Sequence, residues 1–498
     1  MQKHIDTFFT RYPRKSVRLL EISLPLTSLI LITTPFWGAF VFPAVLAYFI
    51  IFFDIWWLYK SFNFARCAYI STRKIKKAEN TNWLEKAKKE NNYEKVMHMA
   101  IFPNYQEPIE IIADSIESIK KQTLPTEKII IVLAMEKREE GAIEKAEALK
   151  KRFGHHFGGF YYTLHPDFPN EVKGKSSNQA YAAIEMTKIL EKRNIDINYL
   201  TVSSVDADSK FDPQFFAYLT YSFLTVKDPY HTFFQSANVH YNNFWDVPAF
   251  TRVIAFFGSL WRTALLVQGM RLLPNSTYTL SFKLLKDIGY WDTDVIPEDY
   301  RIFFKAFFAT KGRVDVHPIF LKTSMDSAHG RTYTRSLYSR YAQERRWAWG
   351  ISDDAVYLKW WFTVKDVPFF RKTFLLSGVL IDHILWPVYW YIITISANAV
   401  VFLNPVFSRT ALGYTLPRLS GFVLTITLLS LLIMIYTDYI LRARSHPTSK
   451  LRQFLFPLEF VLMPVTGFFL SSFPALVTHI QLIIGKRLEY KVTEKISK

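Results

Sequence analysis

Cysteine is almost missing from this sequence, with Cys67 the single one in 498 residues. A lone thiol cannot close an intramolecular disulfide, so nothing in the fold depends on an oxidising compartment. Internal repeats and low-complexity runs are missing too, so the chain is not a repeat array. Lys and Arg total 61 against 43 Asp and Glu, yet neither a zinc-finger spacing nor an RNP-like strand accompanies that surplus. Ordinary nucleic-acid-binding modules are therefore set aside. The basic and then apolar N-terminal stretch lacks a small-residue cleavage site and continues through Pro35-Phe36-Trp37-Gly38 into a second apolar stretch. A retained helical hairpin is expected in place of a cleaved signal. Charge within the expected spans is sparse, with Glu21, Asp54, Asp382 and His383 among the exceptions, which near-terminal positions or helix packing explain. That scarcity weighs against a transporter or channel with a nucleotide-binding cytoplasmic domain.

Hydrophobic residues make up 50% of the chain and aromatic ones 17%. They concentrate in residues 18–59 and 373–485, while residues 60–370 read as a soluble domain. Much of the positive surplus flanks these runs, at Lys3, Arg11, Arg14, Lys15 and Arg18 before the first and at Lys60, Arg66, Arg73, Lys74, Lys76 and Lys77 after it. This is the positive-inside pattern, with anionic lipids as partner and both ends of the hairpin cytoplasmic. The Pro-Trp-Gly segment is the expected turn. Spans are expected at 373–403 and 416–440, with Leu441-Arg442-Ala443-Arg444 returning to the cytoplasm; residues 454–485 fit one tilted span or a re-entrant pair. The expected layout is an N-terminal transmembrane hairpin (1–60), a basic cytoplasmic linker (61–95), a catalytic domain (96–335), an interfacial segment (336–372), a C-terminal transmembrane region (373–485) and a basic tail (486–498).

Short β-rich runs alternate with helical patterns over residues 96–318, which predicts an α/β domain with a mainly parallel sheet. Strands are expected at 96–102, 128–133, 160–164, 199–205 and 232–239, and Ile109, Ile112, Ile116 and Ile119 have the spacing of a helix laid on that sheet. Ligands of such sheets bind beyond the carboxyl ends of the strands.

Asp206-Ala207-Asp208 closes the fourth run. Carboxylates two apart on an extended end point to the same side and can share a divalent cation and, through it, a diphosphate, although an acidic turn can look the same. Lys173-Gly174-Lys175-Ser176-Ser177-Asn178 opens a helix whose free N–H groups and two lysines form a candidate anion site, or an ordinary capped helix. Ile296-Pro297-Glu298-Asp299 begins another helix, where a carboxylate serves as general base or merely as cap. Gln343-Glu344-Arg345-Arg346-Trp347-Ala348-Trp349 is helical and precedes a span, as an interfacial anchor also would. Their co-occurrence, in order and on one inferred side, favours chemistry.

Taken together, these residues resemble the inverting glycosyltransferases of family 2, in the membrane-embedded branch of cellulose, chitin and hyaluronan synthases and ceramide glucosyltransferase. That branch carries D-x-D, E-D and Q-x-x-R-W, matched by Asp206-Ala207-Asp208, Glu298-Asp299 and Gln343 to Trp347, and the likeness covers nearly the whole chain. It implies a GT-A-like (Rossmann-like) cytoplasmic domain inserted between N- and C-terminal transmembrane helices. It further implies Mg²⁺ or Mn²⁺ on Asp208 with Asp206 toward the nucleotide, Asp299 beside Glu298 as base, and Gln343, Arg346 and Trp347 closing over diphosphate and acceptor. Tyr105 and Glu107 fall in the family's first nucleotide-binding loop, Lys175 and Asn178 loosely match its Gly-Lys-x-x-x-Asn-like segment, and Ser276 to Phe282 takes the acceptor-side place. The family usually ends its second strand in Asp; here Glu136 stands there, which leaves the nucleobase open. The expected activity is sugar transfer from a nucleotide-sugar donor, a UDP-sugar first, to a polysaccharide or lipid-linked acceptor. Single addition to a glycolipid or polyprenyl phosphate is the alternative. The expected location is a multi-pass integral membrane protein, in the plasma (inner) membrane if bacterial, with membrane lipids and no nucleic acid as partners.

Overall fold

The computed structural model describes residues 9, 11–442 and 448–489. Lys3, Ala443, Arg444 and the tail from 490 onward lie outside the described residues. Helix α1 (Pro13–Val41) and helix α2 (Pro43–Glu79) each begin with proline, whose fixed φ suits a first helical turn. The break between them falls on Phe42, at φ −147° and ψ 60°, and not in Pro35–Gly38 as expected. Phe42 precedes Pro43 and is pushed out of the helical region by its ring. Pro35 lies inside α1, and in the turn before it Thr33 donates back to Leu29 O at 2.9 Å and Thr34 to Ile30 O at 2.6 Å. Helix α2 continues to Glu79, so most of the basic stretch after residue 60 is helical.

After α3 (Trp83–Lys88), the chain alternates β1 (Met97–Asn104), α4 (Ile109–Lys120), β2 (Ile129–Glu136), α5 (Ala142–Phe153), β3 (Gly159–His165), α6 (Lys175–Lys192) and β4 (Leu200–Ser204). It then runs through β5 (Lys210–Phe211), α7 (Phe215–Thr225), β6 (Thr232–Val239), α8 (Ala249–Leu265), β7 (Tyr278–Ser281), α9 (Phe282–Asp287), α10 (Glu298–Ala309) and β8 (Asp315–Ser324). These strands form one eight-stranded sheet in the order β3-β2-β1-β4-β7-β6-β8-β5. The half β3-β2-β1-β4 is parallel, while β7 runs antiparallel to β4 and β6, making the whole sheet mixed where a mainly parallel one was expected. Every residue of β2 and β6 is buried, as strands covered on both faces require. Ile112, Ile116 and Ile119 of α4 pack on one face, whereas Ala180, Ala183 and Met186 of α6 pack on the other.

Beyond the sheet lie α11 (Tyr333–Ala348), α12 (Ile351–Thr363), α13 (Phe369–Leu385), α14 (Val388–Leu403), α15 (Pro405–Ser408), α16 (Ala411–Leu441) and α17 (Lys450–Ile483). Helices α13 and α14 meet at a 56° bend. The α13–α14 pair lies against both arms of the α1–α2 hairpin. On one arm Ser28 donates to Ile384 O at 2.8 Å and Ala39 O accepts from Asn404 at 2.8 Å; on the other Lys60 pairs with Asp382 at 3.3 Å. Helix α16 lies along α2, where Ser420 donates to Asp54 at 2.6 Å. Helix α17 hugs the sheet domain, from Arg252–Glu459 at 2.8 Å to Arg345–Gln481, and its end receives Arg18 on Leu482 O at 2.8 Å. Among the described residues four helices are long and apolar enough to cross a membrane, or five counting the bent pair.

Candidate active site

A cavity of about 260 Å³ opens beyond the carboxyl ends of β1, β2 and β4. Twelve residues singled out from the sequence line it: Tyr105, Glu107, Glu136, Lys175, Asn178, Asp206, Asp208, Glu298, Asp299, Gln343, Arg346 and Trp347.

At its centre, Lys175 Nζ reaches Asp206 Oδ1 at 2.7 Å, Glu298 Oε1 at 2.9 Å and Ser276 O at 2.6 Å. Of the two readings of this helix start, a candidate anion site or a capped helix with solvated lysines, neither anticipates that Lys175 is paired with carboxylates. Lys175 is occupied by carboxylates, which outweigh its burial and hold its pKa well above normal. Lys173 instead points outward to Asp167 at 2.6 Å. One ammonium cannot neutralise two carboxylates, and Glu298 is the more buried of them, 7% exposed in its side chain against 25% for Asp206. Burial pushes Glu298 up to about 7 despite Lys175.

Asp299 stands at the first turn of α10. Its Oδ2 accepts from Ser276 N–H at 3.1 Å and its Oδ1 from Tyr300 N–H at 3.0 Å, which fixes the carboxylate plane. Burial raises its pKa against these hydrogen bonds. The Ser276 backbone that donates to it sits at φ 53°, in the left-handed region. Asp208 Oδ2 accepts from Asp326 N–H at 2.9 Å, and Asp326 borders the cavity beside it. Among the described residues no group of three or more His, Cys, Asp or Glu could hold a metal ion unaided. The donors present, Asp206 and Asp208, are hard oxygen ligands that suit Mg²⁺ or Mn²⁺ completed by substrate phosphate.

At the β2 end, Glu136 is ion-paired with Arg138, whose guanidinium stacks on Tyr105 at 3.8 Å from the ring centroid. Asn178 donates to Ala134 O at 2.6 Å, tying α6 to β2. Glu107 sits in the loop after β1, where its carbonyl accepts from Lys145 at 3.0 Å. On α11, Gln343 accepts from Arg340 at 2.7 Å, and Trp347 lies against two guanidiniums, Arg340 at 4.7 Å and Arg262 at 5.1 Å.

Several wall residues escaped the sequence reading: Asp326, His240, Arg262, Trp261 and Trp386. His383, read there as a packing residue, borders the cavity and is held by Asp354 at 2.8 Å. No local motif marks any of them.

The mixed sheet, with this cavity at its parallel carboxyl ends and Asp206-Ala207-Asp208 on its floor, has the Rossmann-like GT-A arrangement. Residues 202–441, just under half of the chain, match the family model described as glycosyl transferase family group 2. No curated protein sequence matches it. Similar solved structures include the mannosyltransferase PcManGT from Pyrobaculum calidifontis in complex with GDP-Man and Mn²⁺, at 14% identity, TM-score 0.42, 84% of this chain and 99% of that one. S. aureus TarS 1-349 in complex with UDP is 11% identical with a TM-score of 0.38, covering 67% and 90%. The M. tuberculosis glucosyl-3-phosphoglycerate synthase is 13% identical with a TM-score of 0.29, covering 57% and 84%.

Proposed function

We propose that this protein is a membrane-embedded, inverting, metal-dependent glycosyltransferase. It takes a sugar from a nucleotide-sugar donor, a UDP-sugar first, and passes it to a glycan or lipid acceptor at the cytoplasmic membrane face. One observation carries the reading: Asp206 and Asp208, Glu298 and Asp299, and Gln343, Arg346 and Trp347 lie far apart in sequence and line a single cavity.

In this reading the Asp299 carboxylate accepts the proton of the acceptor hydroxyl. The acceptor oxygen attacks the anomeric carbon opposite the diphosphate, the bond from that carbon to the diphosphate oxygen breaks, and nucleoside diphosphate leaves with the configuration inverted. Asp208, with Asp206, would hold Mg²⁺ or Mn²⁺, which when bound supplies positive charge to the diphosphate. Arg346 adds a fixed cation for the same leaving group, and Trp347 offers a ring face to the acceptor sugar. Lys175 holds Asp206 and Glu298 in place. Residues 96–335 are then the catalytic domain, 336–372 the interfacial segment and 373–485 the membrane region.

The test is a donor screen on the purified full-length protein in detergent. Release of free nucleoside diphosphate is followed with Mg²⁺ or Mn²⁺ and a panel of glycan and lipid acceptors. Turnover of at least one nucleotide sugar is expected, and turnover of none sinks the reading.

A further inference from the structure

One wall of the cavity holds a cation that has no ion-paired anion among the described residues. Arg262 projects from α8, is 7% exposed and borders the cavity with its neighbour Trp261. Its Nη1 donates to His240 Nε2 at 2.9 Å, while His240 Nδ1 lies 3.2 Å from Asp326 O. An imidazole that donates from Nδ1 and accepts at Nε2 is neutral, so His240 cancels none of the charge. Arg262 Nε has no hydrogen-bond partner.

The carboxylates around it are engaged elsewhere. Glu344 pairs with Arg340 at 2.5 Å, and Asp299 is held by the backbone of Ser276 and Tyr300. A buried guanidinium resting on a neutral imidazole and an indole face lacks the counter-charge that burial calls for. Arg262 borders the same cavity as the proposed base Asp299, which with Glu344 favours its charge while Arg340 opposes it. The same wall continues through Tyr300, stacked on His383 at 6.2 Å, to Trp386 at the bend between α13 and the apolar α14.

We propose that Arg262 binds a phosphate carried by the acceptor. The acceptor is then a phosphate-bearing lipid whose hydroxyl reaches Asp299 while its phosphate rests on Arg262. This rests on the glycosyl-transfer reading above. The phosphate ester comes either from a glycerophospholipid headgroup or from a polyprenyl-linked phosphate.

The experiment is a tryptophan-fluorescence titration of the full-length protein in detergent, since Trp261, Trp347 and Trp386 all border the site. The probes are two pairs: phosphatidylglycerol against diacylglycerol, and farnesyl phosphate against farnesol. UDP and GDP with Mn²⁺ report the donor side separately. At least one phosphate-bearing probe is expected to bind tenfold or more tightly than its uncharged twin, and the preferred pair identifies the source of the phosphate. Arg262→Gln should abolish that preference while nucleoside diphosphate affinity stays within twofold. Should the Gln variant fail to fold, Arg262→Lys keeps a charge and should retain the preference with several-fold weaker binding. Equal binding of charged and uncharged probes by the wild type overturns the proposal. So does an Arg262→Gln variant that loses nucleoside diphosphate to the same degree, which would return Arg262 to the donor. If the wild type binds neither nucleotide, glycosyl transfer itself fails whatever the lipids do.

Discussion

Asp299 has a backbone N–H on each oxygen and a raised pKa from burial, the two properties a base near neutral pH needs. Asp299→Asn is therefore expected to lower transfer by at least about 100-fold, while calorimetry still detects nucleoside diphosphate. Transfer at wild-type rates would remove Asp299 from that role. The pH dependence follows in sign. A base with a raised pKa is protonated and idle below it, so kcat/KM should climb with pH, and Glu298, at about 7, extends the climb toward neutrality. A profile flat between about pH 5 and 8 contradicts this. Lys175→Met would leave two carboxylates without their shared counter-ion, an imbalance that costs on the order of 3–5 kcal/mol for buried pairs. Lower thermal stability together with an acid limb moved to higher pH is the expected pair of effects.

The elements most legible in the sequence were those whose pattern is local. Strands β1, β2, β3, β4 and β6, the α4 stripe and the starts of α6 and α10 all follow from apolar runs and their breaks. Strand β5 spans two residues and β7 four, too short to impose a period, and β8 mixes charge and proline over a half-buried surface. The break at Phe42 was misplaced because Pro35 and Gly38 read as breakers, whereas the helix runs through both to Val41. In the site, Arg262 and Asp326 were silent because their significance lies in partners brought close by folding. Lys175 was visible, but its engagement with Asp206 and Glu298 required three distant segments to meet. A tight contact between elements gives a further prediction. A Cβ on Gly413, in the first turn of α16, would lie 2.1 Å from Phe407 O. Gly413→Ala should cost about 1–3 kcal/mol, seen as a lower unfolding midpoint in detergent. An unchanged midpoint would show that the α15–α16 corner yields freely.

At the scale of the whole molecule, the near absence of cysteine becomes useful. Cys67 is buried, so cysteines introduced elsewhere report with little background. In sealed vesicles, a cysteine at exposed Glu140, in the sheet domain, should label only from the cytoplasmic face. One at Val406, which is 80% exposed beyond α14, should label only from the opposite face. Labelling of both from one side would refute the proposed orientation. The bend between α13 and α14 has a mechanical consequence as well. Trp386 belongs to the cavity wall, and the apolar α14 that follows is roughly 24 Å long at 1.5 Å per residue. That is shorter than a hydrocarbon layer of about 30 Å, so a thicker bilayer must thin locally or straighten the helix's tilt. On the proposed membrane reading the active site shares a wall with the lipid-facing region, and acyl-chain length becomes a throttle: turnover in reconstituted vesicles should vary with it while nucleotide affinity does not.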